Sequence, residues 1–97
     1  MKIYISGEIT NDPNYKEKFA EAEEYLKAKG YVIMNPAILP AGFGYEDYMT
    51  ICFAMIDVCD AMYMLKDWEE SPGAERELIH AEINWKKAYY EGEEFND

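Results

Sequence analysis

Short apolar runs alternate with stretches of helical periodicity along these 97 residues, and this alternation permits few folds. The predicted strands are 2–6, 31–34, 61–65 and 88–90, and the predicted helices are 13–29, 45–57 and 72–86. Strands and helices in alternation predict a parallel sheet with right-handed crossovers and helices on both faces. We therefore expect one α/β domain over residues 1–97. It should be a flavodoxin-like or Rossmann-like three-layer sandwich of four or five strands, in the order 2-1-3-4(-5).

The three predicted helices each carry an apolar stripe that should pack on the sheet. The stripes are Tyr15, Phe19, Ala22 and Leu26; then Tyr48, Cys52, Met55 and Ile56; then Ala74, Leu78, Ala81 and Trp85. Pro13 is predicted at the first position of its helix, where its missing N–H does no harm. Gly30 should end that helix, and the acidic tail from Glu91 is predicted to fray.

Composition excludes several classes of function. A net charge of −11 is unsuited to a nucleic-acid polymer or an anionic membrane, and no apolar run approaches the ~20 residues of a membrane span. Met1 leads directly into a strand pattern, so we expect no signal peptide and a cytoplasmic protein with reduced Cys52 and Cys59. Two cysteines and one histidine are too few for a typical zinc site, and we expect neither a metal nor another cofactor.

Residues with chemical character fall where the predicted strands end, which is where α/β sheets bind ligands. Tyr4 and Ser6 bring hydroxyls to the end of the first strand, and Gly7 permits close backbone approach, although a plain tight turn explains the same residues. Asn35 closes the second strand, either to bond a ligand or to cap a turn. Asp60 lies at the opposite edge of the sheet and is predicted to be a helix-end or turn residue rather than a catalyst.

The segment Ser71-Pro72-Gly73-Ala74 begins the third helix with a hydroxyl and a flexible backbone, and such a helix start can hold an anion. Glu77 follows in the second turn, beside the sheet-facing side of the helix, whereas Glu75 lies further round toward solvent. Glu77 is therefore the candidate chemical group, and a solvated or capping carboxylate is the alternative. His80 stands three residues later without evident metal-binding partners, and a surface or hydrogen-bonded histidine is expected.

The residues resemble the small phage- and bacteria-encoded relatives of the nucleoside 2-deoxyribosyltransferases over nearly the whole chain. The resemblance lies in segments 3–7, 32–36, 59–65 and 68–74, and in Glu77 and Ala81. It implies that Glu77 attacks C1′ of a deoxyribonucleoside to form a covalent deoxyribosyl-enzyme. It also implies that Ser71, six residues earlier and roughly 9 Å away along the helix, holds a 5′-phosphate as in the deoxynucleotide-hydrolysing branch.

The resemblance completes the predicted site without a cofactor. Its substrate-binding residues are Tyr4, Ser6, Gly7, Asn35, Ser71, Gly73 and Ala74, around the catalytic Glu77. Two positions depart from the family. Cys52 stands where relatives often carry an aspartate that orients the sugar or protonates the base, and Glu8 stands where they often carry proline or serine. Glu8 places a negative charge near the predicted phosphate pocket.

The leading prediction is a 2-deoxyribosyltransferase or deoxynucleoside 5′-monophosphate N-glycosidase acting on a small nucleoside or nucleotide. The alternative, favoured by Cys52, is a non-catalytic protein that binds or sequesters nucleotides with the same pocket; a third reading is a pure interaction module. Small relatives commonly complete their sites across subunits, so the resemblance also implies a homodimer or larger homo-oligomer.

Overall fold

The computed structural model describes residues 1–93 and contains a parallel sheet flanked by three helices. The strands are β1 (Lys2–Ser6), β2 (Val32–Met34), β3 (Ala61–Met64) and β4 (Lys87–Tyr90), and the helices are α1 (Tyr15–Ala28), α2 (Tyr45–Asp57) and α3 (Pro72–Ile83). The sheet order is β2-β1-β3-β4 with every pairing parallel, which confirms the predicted α/β class and the order of the four strands. The acidic tail beyond residue 93 lies outside the described residues.

β1 lies in the middle of the sheet, and its alternating side chains separate the two faces. Ile3 and Ile5 pack in one buried cluster with α1, whereas Tyr4 points to the other face and packs with α2 and α3. The register aligns Ser6 of β1 with Met64 of β3, so both strands end at the same edge. The order of the strands reverses between β1 and β3, and the polar residues of the candidate site lie at this edge.

The first helix begins later than its sequence predicts. Pro13 precedes α1, and Asn14 is its N-cap residue, so the predicted start at Pro13 is wrong. The physical reason is a local turn, in which the Asp12 carboxylate accepts the N–H of Asn14 at 2.8 Å and the Asp12 carbonyl accepts that of Tyr15 at 3.3 Å. The sheet-facing stripe of Phe19, Ala22 and Leu26 is buried as expected.

The third helix ends earlier than predicted, at Ile83, and Trp85 does not face the sheet. Trp85 has φ of 62° and is 94% exposed. Its N–H bonds the carbonyl of Glu82 at 3.1 Å, and the N–H of Lys86 bonds that of Ala81 at 2.9 Å, which is a Schellman closure with Trp85 in the left-handed position. The chain must reverse here so that β4 can pair parallel to β3, and this takes Trp85 out of the helical stripe.

Candidate functional site

A cavity of about 480 Å³ opens at the edge of the sheet where β1 and β3 end. Its walls come from the loop after β1, the start of α2 and the first two turns of α3. The lining residues are Ser6, Gly7, Glu8, Ile9, Thr10, Asn11, Phe19, Pro36, Tyr45, Met49, Ser71, Pro72, Gly73, Ala74 and Glu77. Five of the seven predicted substrate-binding residues therefore lie around the same cavity as the predicted catalytic Glu77.

Glu77 is held at the floor of this cavity by the strand beneath it. Its Oε1 accepts a hydrogen bond from Ser6 Oγ at 2.7 Å, and its Oε2 accepts one from Tyr4 Oη at 3.1 Å. Tyr4 and Ser6 are two residues apart on β1, so they share the face on which α3 packs. Glu77 is only 8% exposed, and Tyr4 lies completely buried below it, in contact with the carboxylate rather than with the cavity.

Burial makes this carboxylate unusual. Removal from water raises the pKa of Glu77 to about 7, against the opposing effect of hydrogen bonds from Ser6, Tyr4 and Cys52. Near neutral pH the group therefore exists in comparable amounts as acid and as carboxylate. A carboxylate with little water around it and a fixed orientation is suited to act as a nucleophile or as a proton carrier.

Cys52 joins the same group from α2. Its thiol lies close to both Tyr4 and Glu77, and burial, followed by the nearby Glu77 charge, raises the pKa of the thiol to about 12. Burial also raises the pKa of Tyr4 well above its ordinary value, with Glu77 adding to the effect. Cys52 thus lies beside Glu77 as a neutral thiol, and the sequence had not indicated this contact.

The start of α3 retains little capacity for an anion. Ser71 is the N-cap residue, and its Oγ accepts the N–H of Ala74 at 3.1 Å while its carbonyl accepts the N–H of Glu75 at 3.0 Å. Pro72 has no N–H. Among residues 1–93, Gly73 is left with the one N–H of this first turn that no protein acceptor engages. Ser71 keeps a hydroxyl proton that it can donate into the cavity.

Gly7 is required for a close approach inside the protein. A Cβ on Gly7 would lie 2.9 Å from the Cβ and Cδ1 atoms of Leu65, closer than side chains pack. Asn35 serves as the cap of a 3₁₀ turn at Pro36–Ile38: its Oδ1 accepts the N–H of Ala37, and its Nδ2 donates to Glu23. Of the two interpretations of Asn35, the structure therefore gives the turn, and the residue does not line the cavity.

Lys18 and Asp67 fix the loops of the site to one another, and neither residue was predicted from the sequence. Lys18 Nζ donates to Asp12 at 2.7 Å, to the carbonyl of Glu8 at 2.8 Å and to Asp67. Asp67 also accepts the N–H of Glu8 at 3.1 Å. These contacts join residues up to 59 positions apart, so no local pattern could have revealed them; the only signal is the position of Lys18 beside the buried Phe19.

The remaining candidates lie away from the cavity. His80 Nε2 contacts Asp57 Oδ1 at 2.7 Å, and Asp60 accepts the N–H of Lys2 at 2.8 Å, as expected of a hydrogen-bonded histidine and a turn residue. Cys52 and Cys59 are separate buried thiols. Over residues 1–93, no group of three or more potential ligands is arranged to hold a metal ion, and none of the helices there has the length and apolar character of a bilayer span.

The chain resembles known proteins in both sequence and fold. Residues 1–90 match the family described as "Domain of unknown function (DUF4406)". The solved structure of a 2-desoxiribosyltransferase from Leishmania mexicana superposes with a TM-score of 0.73 at 23% identity, over 92% of this chain. A 2-deoxyribosyltransferase from Bacillus psychrosaccharolyticus superposes with a TM-score of 0.69 at 22% identity, over 99% of this chain and 77% of that chain.

The similarity to these proteins covers only part of their length and does not extend to curated sequences. The chain spans 62% of the length of the Leishmania structure that it matches. No curated protein sequence matches it significantly. At these identities the neighbours establish a shared fold, in agreement with the resemblance that the sequence segments indicated.

Proposed function

The chain belongs to the DUF4406 family and has the fold of the 2-deoxyribosyltransferases, and from this premise we propose that it cleaves the N-glycosidic bond of a nucleoside or nucleotide. The observation that carries the proposal is the Glu77 carboxylate, which is buried, has a pKa raised to about 7 by burial, and borders a cavity of about 480 Å³. The proposed activity is that of a 2-deoxyribosyltransferase or a deoxynucleotide N-glycosidase.

In the proposed reaction, a Glu77 oxygen forms a bond to C1′ of the sugar while the bond from C1′ to the base nitrogen breaks. The electron pair of that bond leaves with the base, which takes up a proton from solvent. Water or an N–H nitrogen of a second base then attacks C1′ and releases its proton to solvent, and the Glu77 carboxylate leaves with the electron pair of its bond to C1′. Two displacements at one carbon retain its configuration, as in retaining glycosidases.

The surrounding residues have defined tasks in this scheme. Ser6 and Tyr4 each hold one oxygen of Glu77, which keeps the carboxylate plane fixed before attack. The Cys52 thiol supports the same group without adding a second negative charge. Gly7, Gly73 and Ala74 present backbone or small side chains, which leaves room in the cavity for a sugar and a base.

A specific observation favours the alternative of a binding protein. Cys52 occupies the place of the aspartate that the family resemblance assigns to orienting the sugar or protonating the base, and no other described carboxylate contacts Glu77. Without a proton donor for the departing base, the same cavity would bind a nucleoside and leave it intact.

Base release from 2′-deoxynucleosides and their 5′-monophosphates, followed by chromatography beside binding calorimetry, separates the two functions. Glu77→Ala should reduce base release by orders of magnitude and keep the fold, because the covalent route is lost. Glu75→Ala, on the exposed side of the same helix turn, should retain activity. Binding heat without any base release would support the alternative, and equal rates for Glu77→Ala and wild type would refute the role of Glu77.

We further propose that the chain forms a homodimer or larger homo-oligomer. Its support is the exposed face of α3, where Ile79 and Ile83 lie one turn apart and are 55% and 70% exposed. Apolar side chains grouped on a surface favour association. Light scattering at micromolar concentration should give a multiple of the 11.3 kDa chain mass, and a monomeric mass would refute the proposal. A cytoplasmic location stays a prediction.

A further inference from the structure

Glu8 is a buried residue whose carboxylate nothing in the described protein engages. The residue is 8% exposed. Its backbone is fully used, since the N–H donates to Asp67 and the carbonyl accepts from Lys18 Nζ. Within residues 1–93, however, no donor contacts the Glu8 carboxylate itself. The hydrogen-bonding capacity of this carboxylate is unused within the described protein, so the side chain is suited to donors that arrive from outside the chain.

The surroundings of Glu8 indicate where those donors enter. Throughout residues 1–93, no fully enclosed side-chain oxygen lacks a partner, so the Glu8 oxygens must border open space. Glu8 lines the main cavity together with Glu77, and it also lines a shallower depression formed with Asn11, Asp12, Asp67 and Glu70. The ammonium group of Lys18, which extends from α1 to this loop, already pairs with both Asp12 and Asp67. The carboxylate is therefore available to a molecule in the cavity.

The same cavity is poorly equipped for a phosphate. Its described lining contains the carboxylates of Glu8 and Glu77 and no lysine, arginine or histidine. The first turn of α3 retains the Gly73 N–H alone, because Ser71 already engages two of the turn's N–H groups and Pro72 has none. Phosphate binding normally combines several such donors with positive charge. A carboxylate at the wall adds repulsion instead.

We propose that Glu8 is a specificity-determining residue that selects neutral nucleosides over their 5′-monophosphates. Its carboxylate accepts hydrogen bonds from the hydroxyl or amino groups of the nucleoside, and its charge opposes a phosphate in the same cavity. This inference rests on the proposed function, because it chooses between the two substrate classes that the proposal leaves open. It assigns Ser71 to capping α3 and to donating one neutral hydrogen bond.

The test is calorimetric binding of the common 2′-deoxynucleosides and their 5′-monophosphates to the whole chain. The wild type should bind at least one deoxynucleoside at least tenfold more tightly than its monophosphate. Glu8→Gln keeps the size of the side chain and removes its charge, and it should lower this preference at least tenfold, as expected when a charged acceptor is lost. Glu70→Gln removes the same charge from the neighbouring depression and should leave the preference within about twofold.

Each outcome has a meaning. A wild type that binds the monophosphate more tightly than the nucleoside overturns the inference. This measurement needs no variant, so the inference can be refuted even if the Glu8→Gln protein fails to fold. An unchanged preference in folded Glu8→Gln, or an equal change in Glu70→Gln, overturns it as well. Nucleoside preference that depends on Glu8, with no base release from any compound, would leave the inference standing and refute only the enzymatic proposal. No binding across the panel would refute both.

Discussion

The two faces of the sheet bury different kinds of side chain, although the same strand, β1, contributes residues to both. On the face covered by α1, Ile3 and Ile5 pack with Phe19 and Leu26 in an apolar cluster. On the face covered by α2 and α3, Tyr4 and Cys52 pack within the apolar cluster, and Tyr4 donates a hydrogen bond to Glu77. The alternation of side chains along β1 thus separates a hydrocarbon core from a core that includes the candidate chemistry.

The two faces contribute to the free energy of unfolding with opposite signs. Burial of large apolar side chains against α1 stabilises the fold in proportion to the area removed from water. Burial of Glu77 opposes folding at neutral pH, as its pKa of about 7 indicates. A chain of this size has a small net stability, so the α1 face must compensate for the α2 and α3 face.

The largest effect on stability is expected from the α1 face. Phe19 is completely buried between α1 and the sheet, and Phe19→Ala should lower the free energy of unfolding by about 3–5 kcal/mol through lost burial and the cavity left behind. Urea unfolding followed by circular dichroism measures this value. Glu24→Ala, on the exposed side of the same helix, should change stability by less than about 0.5 kcal/mol. A loss below 1 kcal/mol for Phe19→Ala would contradict the role assigned to this face.

A second effect should come from Glu77 and depend on pH. Its folded pKa of about 7 lies above the ordinary 4.5, so the folded state holds the proton more tightly. Stability from this group is complete below about pH 4.5 and is lost as pH rises through about 7. Glu77→Gln lacks the titration and should gain about 3 kcal/mol relative to wild type between pH 4.5 and 8.

Urea unfolding of both proteins across this pH range provides the measurement. Glu75→Gln is the matched control, since Glu75 is exposed, and its difference from wild type should stay nearly constant with pH. A flat difference for Glu77→Gln would mean that the carboxylate titrates alike in the folded and unfolded chains.

The smallest effect concerns the hydroxyl beneath Glu77. Tyr4→Phe removes the donor to Oε2, which lies at 3.1 Å, and a lost hydrogen bond of about 1 kcal/mol should raise the pKa of Glu77 by less than one pH unit. Carbon-13 NMR titration of the Glu77 carboxyl should show the midpoint move upward. Tyr48→Phe removes a hydroxyl that donates to Pro40 instead and should leave the midpoint in place. A downward movement in Tyr4→Phe would show that the hydroxyl does not stabilise the carboxylate.

Much of this comparison was accessible from the sequence, because local periodicity determines it. The two-residue spacing of Tyr4 and Ser6 and the helical position of Glu77 predicted the strand, the helix and the edge at which they meet. The strand order follows from the alternation of elements and the usual handedness of crossovers. Trp85 was misplaced because helical spacing continues past Ile83, whereas the turn into β4 sets the end of the helix.

The rest of the site depends on contacts between distant parts of the chain. Cys52 lies close to Glu77 only because α2 and α3 pack side by side. Lys18 of α1 pairs with Asp67, which lies in the loop after β3. The segment that begins with Ser71 has the residue types of an anion-binding site. In the structure, however, the Ser71 hydroxyl oxygen accepts the N–H of Ala74 and caps the helix. Residue types at a strand end therefore predict where a cavity forms better than they predict which hydrogen-bond donors remain free in it.

The ammonium group of Lys18 has a consequence for how a ligand is received. It bonds Asp12 and the Glu8 carbonyl on the loop after β1, and Asp67 on the loop after β3, so two walls beside the cavity are tied to one partly buried point. Walls joined in this way keep their separation when the cavity is empty. The conformational entropy of these loops is thus lost during folding rather than during binding. The cavity is therefore preorganised for a ligand.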